Sequence, residues 1–276
     1  MHTRATLVQD LRQLGLKPGD VIMAHASLRA IGEVAGGPDE VHLAIKDVIT
    51  GEGTLFMYAG CPRYFDEIGR GNLTPDEERE VFDKLPVFDS TSARSARDNG
   101  ALVELFRTWP GSRVNDHVAR FVAWGKHTDY LFSEQPWDFA FGRGSVLERF
   151  TELNGKILLL GSDHDNVTFL HYPEHIGDFS DKRIVHFKVP VLEDGNRVWR
   201  EMAEVDTSVK AHENWPDGFF AQIVGEFLDR SGNKGGRVGD AHSFLIPAQG
   251  LLEHALQEMQ SVAGNTGQTA VSKQGK

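Results

Sequence analysis

The stretch Leu158-Leu-Leu-Gly-Ser-Asp-His-Asp-Asn-Val-Thr-Phe-Leu-His-Tyr-Pro-Glu174 runs an apolar strand straight into a polar turn carrying His164, Asp165, Thr168, His171 and Glu174. In α/β proteins the carboxyl ends of such strands are where reactive side chains converge over one crevice. Pro173 lacks an amide hydrogen and fits a helix in its first turn, so the helix is expected to begin around Thr168 to Tyr172.

Outward from this segment the same alternation repeats. Leu7, Leu11 and Leu14 recur at helical spacing and stop at Gly15, and Lys17-Pro-Gly-Asp20 turns into the apolar strand Val21-Ile-Met-Ala24. Gly36-Gly-Pro-Asp39 opens a helix with Val41, Ile45 and Val48 on one face, and Gly51-Glu-Gly53 leads into the strand Thr54-Leu-Phe-Met-Tyr58. Residues 99–109 predict a helix with Leu102, Leu105, Phe106 and Trp109 inward, and 119–124 another strand. Between them, 59–97 carries charges and three prolines (Pro62, Pro75, Pro86) and reads as a long irregular functional insertion. Residues 183–192 and 197–202 flank Glu193-Asp-Gly-Asn196, whose Asp-Gly marks a hairpin, so the second half mixes in antiparallel sheet. Residues 219–228 and 249–259 read as amphipathic helices, and 264–276 as a mobile tail.

Composition narrows the function. The 276 residues are 40% apolar, ample for a buried core, and no apolar run approaches the roughly 20 residues that span a bilayer. The N-terminus lacks the apolar stretch of a signal peptide, and a lone cysteine, Cys61, rules out an internal disulfide; both lead to an expected cytoplasmic location and no membrane partner. With 29 basic and 40 acidic residues, the formal charge of −11 disfavours nucleic acid and favours cationic partners.

Four segments together resemble the aminoglycoside 3-N-acetyltransferases, antibiotic N-acetyltransferases that use acetyl-CoA. They are Val21-Ile-Met-Ala-His-Ala-Ser-Leu-Arg-Ala-Ile-Gly32, Asn99-Gly-Ala-Leu-Val-Glu-Leu-Phe-Arg107, Leu158-Leu-Leu-Gly161 with Thr168-Phe-Leu-His171 and Glu174, and Glu204-Val-Asp206. The resemblance spans about residues 5–260 in order and spacing. It implies a single domain of α/β/α type over residues 1–263, with a mixed sheet and distinct from the common GNAT acetyltransferase fold. The implied activity moves acetyl from acetyl-CoA to the 3-amino group of a deoxystreptamine ring, which would confer resistance. No metal is called for. The implied cofactor contacts are His25, Ser27, Leu28, Arg29, Asn115 and Thr168, with Ser27 equally readable as a helix N-cap. Asn115 and Val118 replace the serine and proline that relatives carry beside His117, so Arg29, Arg94, Arg97 and Arg113 are alternative holders of the cofactor phosphates.

The chemistry asks for a base, because an amine attacks a thioester only when neutral, and for a donor to the resulting oxyanion. His171 is the candidate base. Glu204 is the expected orienter, since Glu204 and Asp206 alternate to one face of a strand, and Glu174, three residues on along a helix, is the other. Tyr64, Asp66, Glu204 and Asp206 are the residues expected around a polycationic acceptor, with Glu67 beside them and the 59–97 insertion draped near it. Rival readings are a metal-dependent hydrolase using His164, Asp165, His171 and Glu174, a binding module that sequesters drug without turnover, and an acyl-CoA-dependent N-acyltransferase of another amine. Oligomeric state is not legible in the sequence.

Overall fold

The computed structural model describes residues 1–179, 182–207 and 215–264, so the tail expected over 264–276 lies almost wholly outside the described residues. The strands are β1 (Val21–Ala26), β2 (Thr54–Tyr58), β3 (Arg113–Val114), β4 (Phe121–Gly125), β5 (Lys156–Leu160), β6 (Ile184–Glu193), β7 (Asn196–Val205), β8 (Gly236–Val238) and β9 (Ala241–Pro247). Seven of them form one sheet in the order β3-β4-β2-β1-β5-β9-β8, and β6 and β7 pair separately. β2, β1 and β5 are parallel, whereas β4 and β9 run antiparallel to their inner neighbours. The sheet is therefore mixed, as expected, but the antiparallel strands bracket a parallel centre.

Strand alternation sorts the helices into layers. Val21 and Met23 of β1 face one side of the sheet, Ile22 and Ala24 the other, and all four are buried. The Ile22 side is covered by α1 (Arg4–Leu14), α3 (Asp39–Ile49) and α5 (Ala101–Thr108), while α2 (Leu28–Ile31) follows β1 and α4 (Pro75–Lys84) lies within the 59–97 segment. The Val21 side is covered by α7 (Val146–Glu152), α8 (His171–Ile176), α9 (Phe219–Ser231) and α10 (Ala248–Gly264), with α6 (Thr128–Leu131) beside them. Burying both faces of parallel strands requires near-continuous apolar runs, which is why Val21-Ile-Met-Ala24 and Lys156-Ile-Leu-Leu-Leu160 show no polar alternation.

The 59–97 segment corrects the sequence reading. It is not wholly irregular: α4 starts at a capping box in which Thr74 Oγ1 accepts from the Glu77 amide and Glu77 Oε2 from the Thr74 amide, with Pro75 at the first helical position. No residue of α4 is buried, so there was no apolar stripe for periodicity to detect. The segment packs Phe65, Ile68, Leu85 and Phe88 against Phe187, Val189, Val191 and Met202 of the β6–β7 hairpin, forming a third apolar cluster. The hairpin turns at Asp194 and Gly195, with φ of 49° and 80°, the left-handed pair that a type I′ turn demands. The strands β8 and β9 were not read from the sequence.

Arg120 ties the segment down. Its side chain is wholly buried, and its guanidinium donates to the carbonyls of Gly60 (3.1 Å), Ser90 (2.6 Å), Ala93 (2.7 Å) and Arg94 (2.7 Å). Burial pulls its pKa down to about 10.

Candidate active site

The chain leaves β1 through α3 to β2 on one side, and later places β5 on the other side of β1, so the strand order reverses at β1. Such a switch point opens a crevice beyond the carboxyl ends of the strands. Here it measures about 910 Å³, and its walls come from the end of β1 and the start of α2 (His25, Ser27, Arg29), the turn before α5 (Asn99, Gly100) and the segment after β5 (Thr168, His171).

His171 occupies the first position of α8, which a 3₁₀ turn over Thr168–Leu170 introduces. Pro173 then falls within the first turn, where helix amides have no intrahelical acceptor. The short turn brings Glu174 Oε2 to 2.7 Å from His171 Nδ1. Glu174 is buried, and the His171 side chain keeps 23% of its surface open to the crevice. Because a carboxylate accepts, Nδ1 carries the proton of the neutral ring, and Nε2 is the nitrogen left with a lone pair. Phe141 and Phe220 flank the ring, with centroids 5.4 Å and 5.2 Å away.

Of the two acids the sequence offered beside His171, Glu174 is the one at its Nδ1, and Glu204 meets a different histidine. Glu204 lies 2.5 Å from Nε2 of His175, and also accepts from the amides of Ala140 (2.8 Å) and Val205 (3.1 Å). His175 Nδ1 donates to the carbonyl of His171 at 2.6 Å, so the Glu204–His175 pair braces α8 from behind. The spacing of His171 and His175, one helical turn apart, was visible in the sequence, but the carboxylate each would meet was not.

Asp206 is also placed differently from expectation. Arg183 Nε donates to its Oδ2 at 2.6 Å, so the two acids have different partners although both are buried. Asp66 lies 3.9 Å from Arg70; its side chain retains 43% of its surface, yet desolvation by the surrounding protein still raises its carboxyl pKa. Burial raises the Cys61 thiol well above the ordinary thiol range, which favours the thiol over the nucleophilic thiolate. Glu67 accepts from Asn72, and Tyr64 belongs to the hairpin cluster rather than to the crevice wall.

Of the expected cofactor contacts, His25, Ser27, Leu28, Arg29 and Thr168 line the crevice and Asn115 does not. Asn115 is buried, its Oδ1 accepting from the Phe121 amide at 2.6 Å across the β3–β4 turn, a structural use. Ser27 serves as N-cap of α2, accepting from the Ala30 amide at 3.3 Å, while still facing the crevice. Arg94 and Arg113 are engaged by Glu104 and Asp129, and Arg97 opens the 3₁₀ turn next to crevice-lining Asp98. The four residues of the metal reading diverge. The His164 ring lies against Phe244, Asp165 caps α9 through the Ala221 amide, and His171 and Glu174 bond each other.

Residues the sequence reading passed over also line the crevice: Tyr58, Asn99 and Phe141. Asn99 Nδ2 and His25 Nε2 are buried there without a hydrogen-bond partner. Burial lowers the His25 pKa to about 4 and raises that of Tyr58.

A histidine backed by a buried carboxylate, opening onto a crevice at the switch point of a layered mixed sheet, defines the class as an α/β enzyme. The chain belongs to the aminoglycoside 3-N-acetyltransferase family, whose sequence profile matches residues 23–260, and it is an acetyltransferase. An aminoglycoside N(3)-acetyltransferase III of Pseudomonas aeruginosa is 34% identical over 270 residues, covering 96% of each chain. Among solved structures, AAC-IIIb in binary complex with CoASH superposes with a TM-score of 0.86 at 33% identity, covering 94% of this chain and 96% of the other. AAC-VIa bound to sisomicin in a neutron/X-ray structure has a TM-score of 0.86 at 30% identity, covering 94% and 98%.

Proposed function

We propose that this enzyme transfers acetyl from acetyl-CoA to the 3-amino group of the 2-deoxystreptamine ring of aminoglycosides, in the cytoplasm, as a single domain over residues 1–263, and that it thereby confers resistance. The observation that carries the reading is the 2.7 Å contact between His171 Nδ1 and Glu174, which leaves Nε2 of a crevice-facing imidazole as proton acceptor. CoA bound to AAC-IIIb and sisomicin bound to AAC-VIa support the choice of donor and acceptor. In this reading His25, Ser27, Leu28, Arg29 and Thr168 border the pantetheine and phosphates. Nε2 of His171 removes a proton as the amine attacks the thioester carbon, the C–N bond forms, and the proton passes to the departing CoA sulfur. Glu174 holds the tautomer and stabilises the transient imidazolium.

A second reading, acyl transfer to a different amine, is favoured by one observation: two of the acids named for a polycationic acceptor have arginine neighbours, Asp206 with Arg183 and Asp66 with Arg70. Thiol release from acetyl-CoA across a panel of aminoglycosides, with NMR assignment of the acetylated nitrogen, separates the two. We expect release with acetyl on the 3-amine, and a loss of about 10²-fold or more in His171→Ala. Release with no aminoglycoside would move the assignment to another acceptor, and near-normal turnover in the variant would remove His171 as the base.

A further inference from the structure

We propose that His25 is a second catalytic residue, its imidazole N–H donating a hydrogen bond to the thioester carbonyl oxygen of acetyl-CoA and to the oxyanion formed there when the amine attacks. The role rests on the acyl transfer proposed above. It adds the oxyanion donor that the base alone leaves unassigned.

Placement comes from the strand. Val21 and Met23 face the layer that holds α8, and His25 is the next residue in that series, which puts its ring on the same side of the sheet as His171. The β1–β2 register pairs Met23 with Phe56, and continued by two residues it sets His25 beside Tyr58. The Tyr58 ring meets Phe141 at 5.6 Å, and Phe141 meets His171 at 5.4 Å. All four of these side chains line the crevice.

The nitrogen itself asks for a ligand. His25 is a crevice-lining residue whose Nε2 is buried with no partner in the protein, and buried polar atoms are nearly always paired, so this nitrogen calls for a partner that a molecule bound in the crevice would supply. Desolvation keeps the ring neutral at working pH, with its pKa near 4, so it has one N–H to donate and little basicity. His171 has a carboxylate behind it, and among the described residues no hydrogen bond joins His25 to one. Two histidines in contrasting surroundings divide the labour, one as proton acceptor and one as electrophile. As the amine lone pair forms the C–N bond, the carbonyl π pair moves to oxygen, where the His25 donor meets it. Collapse restores the C=O bond and expels the sulfur with its bonding pair, which takes the proton carried by His171. His25 gains and loses nothing over the cycle.

The test compares wild type with His25→Ala and His25→Gln, the latter keeping a donor near the Nε2 position. Steady-state kinetics, acetyl-CoA affinity by calorimetry, and the infrared carbonyl stretch of bound [1-¹³C]acetyl-CoA without acceptor are the readouts. We expect His25→Ala to lower kcat by about 10²- to 10³-fold, the scale of losing one oxyanion donor. Acetyl-CoA affinity should stay within about threefold, and His25→Gln should recover at least about tenfold of the lost kcat, since the lost term is a single donor. The bound carbonyl should absorb below the free value in wild type and return toward it in His25→Ala. An unchanged carbonyl stretch between the two proteins, or a loss confined to acetyl-CoA affinity with kcat preserved, would overturn the role. Because the infrared reading needs no acceptor, a shifted carbonyl with no aminoglycoside acetylated would sink the acceptor assignment and leave His25 standing. A wild type that binds no acetyl-CoA would sink both.

Discussion

At the scale of single residues, the site consists of two histidine–carboxylate pairs one helical turn apart with different duties. His171 meets Glu174 within its own helix and faces the crevice, whereas His175 is buried between the His171 carbonyl and Glu204. The second pair fixes the backbone that presents the first. In the proposed mechanism, replacing Glu174 by Gln removes the charge that would stabilise an imidazolium, and it lets an amide N–H face Nδ1, which would shift the ring proton to Nε2 and block the proposed base. We expect Glu174→Gln to lower kcat by about 10²-fold or more with the acceptor KM little changed. Steady-state kinetics decides it, because a variant that raises KM at constant kcat would make Glu174 a binding group instead.

Among the elements, the 59–97 segment shows how one buried charge organises a long connection. Four carbonyls from Gly60, Ser90, Ala93 and Arg94 turn toward the buried Arg120 guanidinium, which supplies planar donors to all four. We predict that Arg120→Met, which fills the volume but donates nothing, costs about 3 kcal/mol or more through unsatisfied carbonyls. Urea unfolding measures the loss, and limited proteolysis should cut first within 60–97. A wild-type midpoint with cleavage elsewhere would show that the segment is held by its apolar contacts with the hairpin alone. A helix start of a different kind appears at α8, where a 3₁₀ turn followed by Pro173 near the helix start leaves His171 at the crevice rim.

Across the whole molecule, burial on both sides of the sheet also buries ionisable groups, and this makes stability depend on pH. His25, His42 and His117 each have a pKa lowered from 6.5 to about 4, chiefly by desolvation, with Lys46 reinforcing the effect at His42. In the unfolded chain these rings take up a proton near 6.5, so the unfolded state binds more protons between about pH 6.5 and 4. Their contribution is therefore full above that window and is lost as pH falls through it, at up to about 1.4 kcal/mol per pH unit for each ring. The expected result is a urea midpoint that drops from pH 7.5 to pH 5. A flat midpoint over that range would show that the three rings are not buried neutral in solution.

Much of this architecture was legible in the chain because burial on two faces writes itself as unbroken apolar runs. Val21 to Ala24, Thr54 to Tyr58 and Lys156 to Leu160 could hardly be anything but inner strands, and the histidine and glutamate after the last of them marked the crevice. The Asp194-Gly195 turn was equally plain, since few residue pairs accept two positive φ values. Helix α4 escaped notice because it buries nothing, although its Thr74-Pro-Asp-Glu77 cap was there to read. What the sequence determined by itself was local: periodicity, turns, and a histidine with a carboxylate within reach along one helix. What only the tertiary structure decided was pairing across distance, namely Glu204 with His175, Asp206 with Arg183, and Arg120 with four remote carbonyls. The physical reason is that a buried charge takes the partner that packing brings to it, and packing joins segments tens of residues apart that carry no local record of each other.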